Sequence, residues 1–146
     1  MKTRELLQEV ELFKHLTKDE LKQLADICKE SELQEGDVFT TEGEEGHTLC
    51  IIKDGLMEVC VNTGSKPSPR VLLRLGRGQL IGEMSLVDRG TRSATVKAIQ
   101  TPTKILVIQY EDFQRLCEEN YRIGYVVMRN IAADLSFKLR HRSLTV

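Results

Sequence analysis

Two side chains of opposite charge, Glu83 and Arg92, lie nine residues apart in a glycine-rich segment. The carboxylate of Glu83 can accept the hydrogen bond that a ribose hydroxyl donates. The guanidinium of Arg92 offers a positive charge and a forked donor to a phosphate. Gly82 permits close approach of the backbone to a ligand, and the amides of a short turn after it would form a cradle for an anion. With an apolar barrel to hold a base, this set predicts a site for a nucleotide monophosphate.

The same spacing has a purely structural explanation. Glu83 and Arg92 would then pair with each other in a salt bridge that closes the loop between them. The spacing alone leaves both explanations open. Single Gly-x-Glu and Arg-Ser elements are weak signals, whereas the whole segment from Gly78 to Val96 is more informative.

The central part of the chain predicts the short strands that would position these residues. Between residue 32 and about residue 109, glycines separate short runs of apolar and β-branched residues. Asp54-Gly55 lies between two such runs and predicts a hairpin, and the polar segment from Asn62 to Pro69 predicts a loop. Many short strands at regular spacing favour a sandwich or a jelly roll.

Helices are predicted at both ends, over residues 1–31 and 110–141. Thr17 and Glu20 form a capping-box pattern at the start of the second helix. The C-terminal segment carries an apolar stripe with steps of four residues, which predicts core packing, with a dimer seam as the alternative. Because four-residue steps are not a heptad, no coiled coil is predicted. The stripe consists of Ile123, Val127, Ile131, Leu135 and Leu139.

Composition narrows the classes of function. The net charge of −1 gives no attraction to nucleic acid or to an anionic membrane. No apolar run is long enough to span a bilayer and the N-terminus has no signal-peptide core, so we expect a cytoplasmic protein without membrane insertion. The cysteines form no C-x-x-C pair and are expected to be reduced core thiols, with a Cys50–Cys60 disulfide as the disfavoured alternative. They are Cys28, Cys50, Cys60 and Cys117.

The segment Ile81-Gly82-Glu83-Met84-Ser85-Leu86, followed by Arg92-Ser93-Ala94-Thr95-Val96, closely resembles the phosphate-binding cassette of cyclic-nucleotide-binding domains. That family includes bacterial catabolite activator proteins, regulatory subunits of cyclic-AMP-dependent protein kinase and nucleotide-gated channels. The resemblance covers nearly the whole chain. It implies one domain over residues 1–146, mainly β with flanking helices. Its double-stranded β-helix (jelly-roll) barrel would span residues 32–109 and contain the cassette at residues 81–95.

The resemblance also implies a role for each cassette residue. Gly82 and Ser85 would offer backbone amides to the cyclic phosphate, and Glu83 would hold the ribose 2′-hydroxyl. Arg92 would pair with the exocyclic phosphate oxygens, and Ser93 would add its amide or hydroxyl. No cofactor is expected beyond the ligand itself, cyclic AMP or cyclic GMP. The expected ligand-binding residues are Ile81, Gly82, Glu83, Met84, Ser85, Arg92, Ser93 and Ala94.

Three positions refine this expectation. Many family members have Phe where this chain has Ile81, and Pro where it has Thr91; Ile81 resembles the variant of the bacterial activators, and neither change removes a hydrogen bond expected to the ligand. Position 93 carries Thr in many members that prefer cyclic GMP, Ala in many kinase-type cyclic-AMP sites, and Ser in bacterial cyclic-AMP regulators. Ser93 therefore favours cyclic AMP.

Two other functions compete with nucleotide binding: that of an enzyme and that of a docking module. A cupin-type enzyme needs clustered metal ligands, whereas His15, His47 and His141 are scattered along the chain, so no catalysis is expected. A degenerate family member would act as a docking module without nucleotide, but it would have no reason to retain both Glu83 and Arg92.

We expect ligand binding to shift an equilibrium between two positions of the C-terminal helices. These helices would contact a protein partner or form a homodimer. We expect no helix-turn-helix domain after Val146, so the chain is expected not to contact DNA directly and to be either a free-standing module or the sensor of a larger protein. Tyr125 and Phe137 are candidates for stacking on the base, with core packing as the alternative.

Overall fold

The computed structural model describes residues 2–62 and 69–141, in which helices flank a central β-structure. The predicted loop at Asn62–Pro69 falls mostly on residues 63–68, outside the described residues. The elements are α1 (Thr3–Glu9), a 3-10 turn (Glu11–Phe13), α2 (Lys18–Ala25), β1 (Cys28–Leu33), β2 (Val38–Thr40), β3 (Thr48–Asp54), β4 (Met57–Val61), β5 (Arg70–Leu75), β6 (Leu80–Ile81), α3 (Glu83–Asp88), β7 (Thr95–Ala98), β8 (Thr103–Gln109), α4 (Tyr110–Glu119) and α5 (Tyr121–Arg140).

The described strands form two four-stranded antiparallel sheets. One sheet has the strand order β1-β8-β3-β6, and the other has the order β2-β7-β4-β5. Consecutive strands along the chain thus alternate between sheets in several places, as in a jelly roll. The predicted fold class is confirmed, although the sheets do not close into one continuous barrel.

Strand β3 is buried on both faces and joins the two hydrophobic cores. Successive side chains of a strand point to opposite faces. Leu49 and Ile51 accordingly pack against the helices, whereas Cys50 and Ile52 pack with residues of both sheets. This double burial explains why the strand has an unbroken apolar run instead of an alternating pattern.

The predicted helical segment over residues 1–31 extends too far. Helix α2 begins with the predicted capping box, in which Glu20 N–H donates to Thr17 Oγ1 over 3.1 Å and Thr17 N–H donates to the Glu20 carboxylate over 2.8 Å. The helix ends at Ala25, however, and Cys28–Leu33 pairs with β8 as an antiparallel strand. Pairing with an open sheet edge overrides the local helical pattern.

The predicted hairpin at Asp54-Gly55 is also wrong. β3 pairs with β6 and β8, whereas β4 pairs with β5 and β7, so the turn carries the chain from one sheet to the other. Gly55 has a φ of 105°, and a Cβ there would lie 2.6 Å from Thr103 Oγ1. The glycine serves a close crossing between sheets, which the sequence signal does not distinguish from a hairpin.

The cysteines are free, as predicted. Cys50 and Cys60 are buried, whereas Cys28 and Cys117 are half-buried. Burial raises the pKa of the Cys50 thiol to about 12, so this side chain is an inert part of the core.

Helix α5 is fixed to the N-terminal segment along its first half. The side-chain amide of Asn130 donates to Leu12 O and Lys14 O, each over 2.9 Å. Arg122 pairs with Glu20 and also donates to His15 O over 3.2 Å. The second half of the helix projects beyond these anchors.

The predicted apolar stripe of the C-terminal segment is buried only along the first half of α5. Ile123, Val127 and Ile131 are buried in the core, as predicted. Leu135 is only half-buried, and Leu139 is 64% exposed. Core packing therefore holds for the anchored half alone.

Replacing Asn130 by Ala tests the anchor. The variant leaves the carbonyls of Leu12 and Lys14 without this donor, and we expect a loss of about 1–3 kcal/mol in the free energy of unfolding. Chemical denaturation measures it, with Ser136→Ala at an exposed position of the same helix as control. A loss no larger than that of the control would contradict the anchoring role.

Candidate functional site

A cavity of about 1050 Å³ lies between the end of α1, the segment around α3 and the second half of α5. The segment from residue 81 to residue 95 is called the cassette below. All of the residues predicted to bind a ligand line this cavity, so the structure brings the predicted set together. They are Ile81, Gly82, Glu83, Met84, Ser85, Arg92, Ser93 and Ala94.

Gly82 has a left-handed backbone conformation, with φ 101° and ψ 5°, directly before α3. A Cβ at this position would lie 2.5 Å from Arg92 Nη1 and 2.7 Å from Thr48 O. Both the conformation and the crowding therefore require glycine. The amides of the first turn of α3 have no partner within the helix and adjoin the cavity.

Ser85 is buried, and its hydroxyl donates to Gly90 O over 3.1 Å. This bond closes the loop between α3 and Arg92. The hydroxyl of Ser85 is thus engaged within the loop. Ser93 is exposed at the cavity, and Ile81 is a buried part of the apolar wall.

Arg92 is a buried charged side chain of the site, at 6% exposure. The sequence pattern predicts a strand that starts at Arg92, whereas in the structure Arg92 precedes β7 by three residues and lies in an irregular segment. Its backbone N–H donates to Glu44 O over 2.8 Å, and its carbonyl accepts from Gly43 N–H over 2.9 Å. These bonds attach the cassette to the turn between β2 and β3.

The guanidinium of Arg92 has neutral partners. Nη2 donates to Thr48 O over 2.6 Å, and Nη1 donates to Tyr110 Oη over 3.0 Å. Nε is buried with no hydrogen-bond partner in the described structure. Within residues 2–62 and 69–141, no carboxylate forms an ion pair with this cation. The guanidinium is therefore a buried charge with an unused donor.

The structural alternative, a Glu83–Arg92 salt bridge, is not what the structure contains. Burial raises the pKa of the Glu83 carboxyl, and the nearby Asp134 carboxylate raises it further. A hydrogen bond from its own backbone amide, together with Lys138 and Arg92, opposes this shift. The carboxyl is thus half-buried at the cavity wall, and no ion pair joins it to Arg92.

Helix α5 forms the roof of the cavity with residues that include Asp134, Phe137 and Lys138. Asp134 and Lys138 pair over 2.9 Å. Phe137 is 61% exposed and stacks on His141 with 4.0 Å between ring centroids. Of the two stacking candidates, Phe137 lines the cavity and Tyr125 does not. Neither is core, since Tyr125 is 63% exposed.

Sequence reasoning missed Gly46, Thr48 and Tyr110. A Cβ at Gly46 would lie 2.0 Å from Arg92 Nε, so this glycine contacts the guanidinium. Thr48 and Tyr110 supply its two acceptors. All three residues lie outside the cassette, and nothing in their spacing distinguishes them from other turn and strand-end residues.

Two negative findings apply to the described part of the chain. It contains no group of three or more His, Cys, Asp or Glu side chains arranged to hold a metal ion. None of its helices combines the length and the apolar character needed to cross a membrane.

Known proteins match this chain both in a family model and in sequence. The family model of the cyclic nucleotide-binding domain matches residues 30–120. Over 132 residues the chain is 31% identical to cGMP-dependent protein kinase 2 from Mus musculus, an alignment that covers 87% of this chain and 17% of the kinase. The chain therefore corresponds to a small part of that relative.

Two solved structures share the fold over most of the chain. The N-terminal domain of a transcriptional regulator from Streptomyces coelicolor A3(2) superposes with a TM-score of 0.84 at 26% identity, covering 96% of both chains. The catabolite activator protein of Thermus thermophilus gives a TM-score of 0.78 at 29% identity, covering 91% of this chain and 60% of that one.

The raised pKa of Glu83 predicts a pH-dependent cost to folding. As pH rises past the ordinary value of 4.5, the unfolded chain ionises freely whereas the folded chain resists ionisation. The stability of Glu83→Gln relative to the wild type should therefore increase from acid to neutral pH. Denaturation across that range measures it, with Glu35→Gln as an exposed-carboxylate control. A flat difference would contradict burial of the Glu83 carboxyl.

Proposed function

This chain belongs to the cyclic nucleotide-binding domain family, and we propose that it is a cytoplasmic, non-catalytic sensor that binds cyclic AMP in preference to cyclic GMP. The ligand would occupy the cavity beneath α5, with its phosphate at the cassette. Binding would change the position of the C-terminal helices.

One observation carries the proposal: the guanidinium of Arg92 is buried at the cavity without a carboxylate partner, and its Nε has an unused N–H. A buried cation of this kind is costly unless an opposite charge compensates it. Within the described residues that charge is absent, so a ligand anion is the natural partner. A phosphate with two free oxygens matches the charge and the donor geometry of arginine.

The remaining residues fit a cyclic nucleotide around that contact. Gly82 and Ser85 would direct backbone amides to the phosphate, and Ser93 would add a further donor at the exposed rim. The half-buried Glu83 carboxyl would accept a hydrogen bond from the ribose 2′-hydroxyl. Ile81, Met84 and Ala94 would contact the sugar and phosphate through apolar atoms.

The base would lie beneath α5, where Phe137 is the aromatic side chain on the cavity wall. The second half of this helix lacks the anchors of the first half, which supports a movement of the roof on binding. The preference for cyclic AMP rests on Ser93. Cyclic GMP is the ligand with which cyclic AMP must be compared, because the kinase relative is named for its dependence on cGMP.

The exposed side of α5 favours a second copy of the chain as partner. A stripe with steps of four, three, four, three and four residues runs along this helix, in the heptad spacing of a two-stranded coiled coil. It differs from the buried stripe of Ile123, Val127 and Ile131. Ala132 is exposed and Leu135 half-buried, and the others are 37–81% exposed. The members are Tyr121, Tyr125, Met128, Ala132, Leu135 and Leu139.

Calorimetric titration with cyclic AMP and then cyclic GMP tests the sensor function. Wild-type chain should bind both, cyclic AMP more tightly. Arg92→Ala should weaken binding roughly 30-fold or more, because it removes the only cation proposed to pair with the phosphate. Arg115→Ala, an exposed arginine on α4 outside the cavity, is the control. Absence of binding by folded wild-type chain would indicate a docking module without nucleotide.

Light scattering tests the partner. We expect the wild-type chain to have the mass of two chains, and Ala132→Glu to have the mass of one, because like charges would meet in the seam. Arg140→Glu places the same charge on α5 outside the stripe and should leave the dimer intact. A monomeric wild type, with or without nucleotide, would exclude the homodimer.

A further inference from the structure

Tyr110 connects the two ends of the cassette through one hydroxyl group. Its Oη donates to Gly82 O over 2.5 Å and accepts from Arg92 Nη1 over 3.0 Å. Gly82 and Arg92 lie at opposite ends of the loop that contains α3. Tyr110 is also the first residue of α4, and its own N–H donates to His47 O over 2.9 Å. The turn before β3, the cassette and α4 thus meet at this residue.

Three residues outside the cassette hold the guanidinium of Arg92 on different sides. Thr48 O accepts from Nη2, and Tyr110 Oη accepts from Nη1. The Tyr110 ring also lies 5.8 Å from Arg92 Cζ, within range of a cation–π contact. Gly46 lies against Nε and Cζ so closely that a Cβ would overlap them. The side chain is therefore fixed before any ligand arrives, with Nε as its unused donor.

We propose that Tyr110 is a positioning residue for the phosphate site: its hydroxyl holds the Arg92 guanidinium beside Gly82 at the cavity, where the phosphate would bind. This inference rests on the proposed nucleotide binding. A charged side chain that is held in its binding orientation loses less conformational freedom when it binds. Removal of the hydroxyl would break the hydrogen bonds to Arg92 Nη1 and to Gly82 O together. The position of the guanidinium relative to the turn before α3 would then no longer be fixed.

Tyr110→Phe tests the proposal because it keeps the ring and removes only the hydroxyl. Titration with cyclic AMP should give roughly tenfold weaker binding, the usual effect of losing a hydrogen bond to a charged group. In the Arg92→Ala background the same substitution should cause no further loss, since it acts through the guanidinium. Loss under twofold, or the full loss in both backgrounds, would overturn the proposal.

Thr103→Val is the matched control for the loss of a buried hydroxyl. Thr103 is fully buried and its Oγ1 contacts Gln100 O at 2.8 Å and Leu56 O at 3.3 Å, outside the cavity. This variant should lower the free energy of unfolding without changing the nucleotide affinity. An equal loss of affinity in both variants would show that Tyr110 acts through stability alone.

A second readout separates this proposal from the proposed function. In nucleotide-free protein, the Arg92 Nε–H resonance in nitrogen-edited NMR spectra should be distinct and slowly exchanging, and Tyr110→Phe should abolish both properties. An unchanged resonance in the variant would refute the positioning role even if the chain binds nucleotide. If wild-type chain binds no cyclic nucleotide, the sensor function fails, whereas the NMR comparison still decides whether Tyr110 orients Arg92.

Discussion

A buried guanidinium, for which the described residues supply no carboxylate partner, is the constraint around which the cavity is organised. Removing such a cation from water costs several kcal/mol even after the protein relaxes. Arg92 meets that cost in part, through Thr48 O and Tyr110 Oη, while Nε remains without a partner. The close approach of Gly46 and Gly82 to the guanidinium follows from the same requirement, because a side chain at either position would displace it. A binding site for an anion explains why a fold would retain this arrangement.

The surrounding fold supplies both a rigid wall and a less constrained roof. β3 is buried on both faces and presents Thr48 at its first residue, so the acceptor for Arg92 is fixed by the core. The cassette joins β6 to β7, which belong to different sheets. Asn130 anchors the first half of α5, whereas Phe137 lies beyond that anchor over the cavity. The cavity thus combines a preorganised end at Arg92, where we propose that the phosphate binds, with an end beneath α5 that has fewer restraints.

Residue types and spacing were enough to favour a jelly roll and to predict helices at both ends, and the resemblance of residues 81–96 to a known cassette predicted residues that line one cavity. They failed where pairing across the fold decides the outcome. Cys28–Leu33 forms a strand because β8 offers an edge, and Gly55 marks a crossing between sheets, although Asp54-Gly55 has the pattern of a hairpin. Tyr110 lies eighteen residues from Arg92 along the chain. Its contact depends on how β8 and the cassette converge, which no local pattern encodes.

The free energy of unfolding of Arg92→Met, compared with the wild type, tests the central claim most directly. Replacement of a buried charge by an apolar side chain of similar volume is often neutral or stabilising. Without nucleotide, the Met variant should therefore be at least as stable as the wild type. Cyclic AMP at a concentration that saturates the wild type should reverse this order, since only Arg92 gains a counter-charge. A variant that is less stable without nucleotide, with equal stabilisation of both chains by cyclic AMP, would contradict the account.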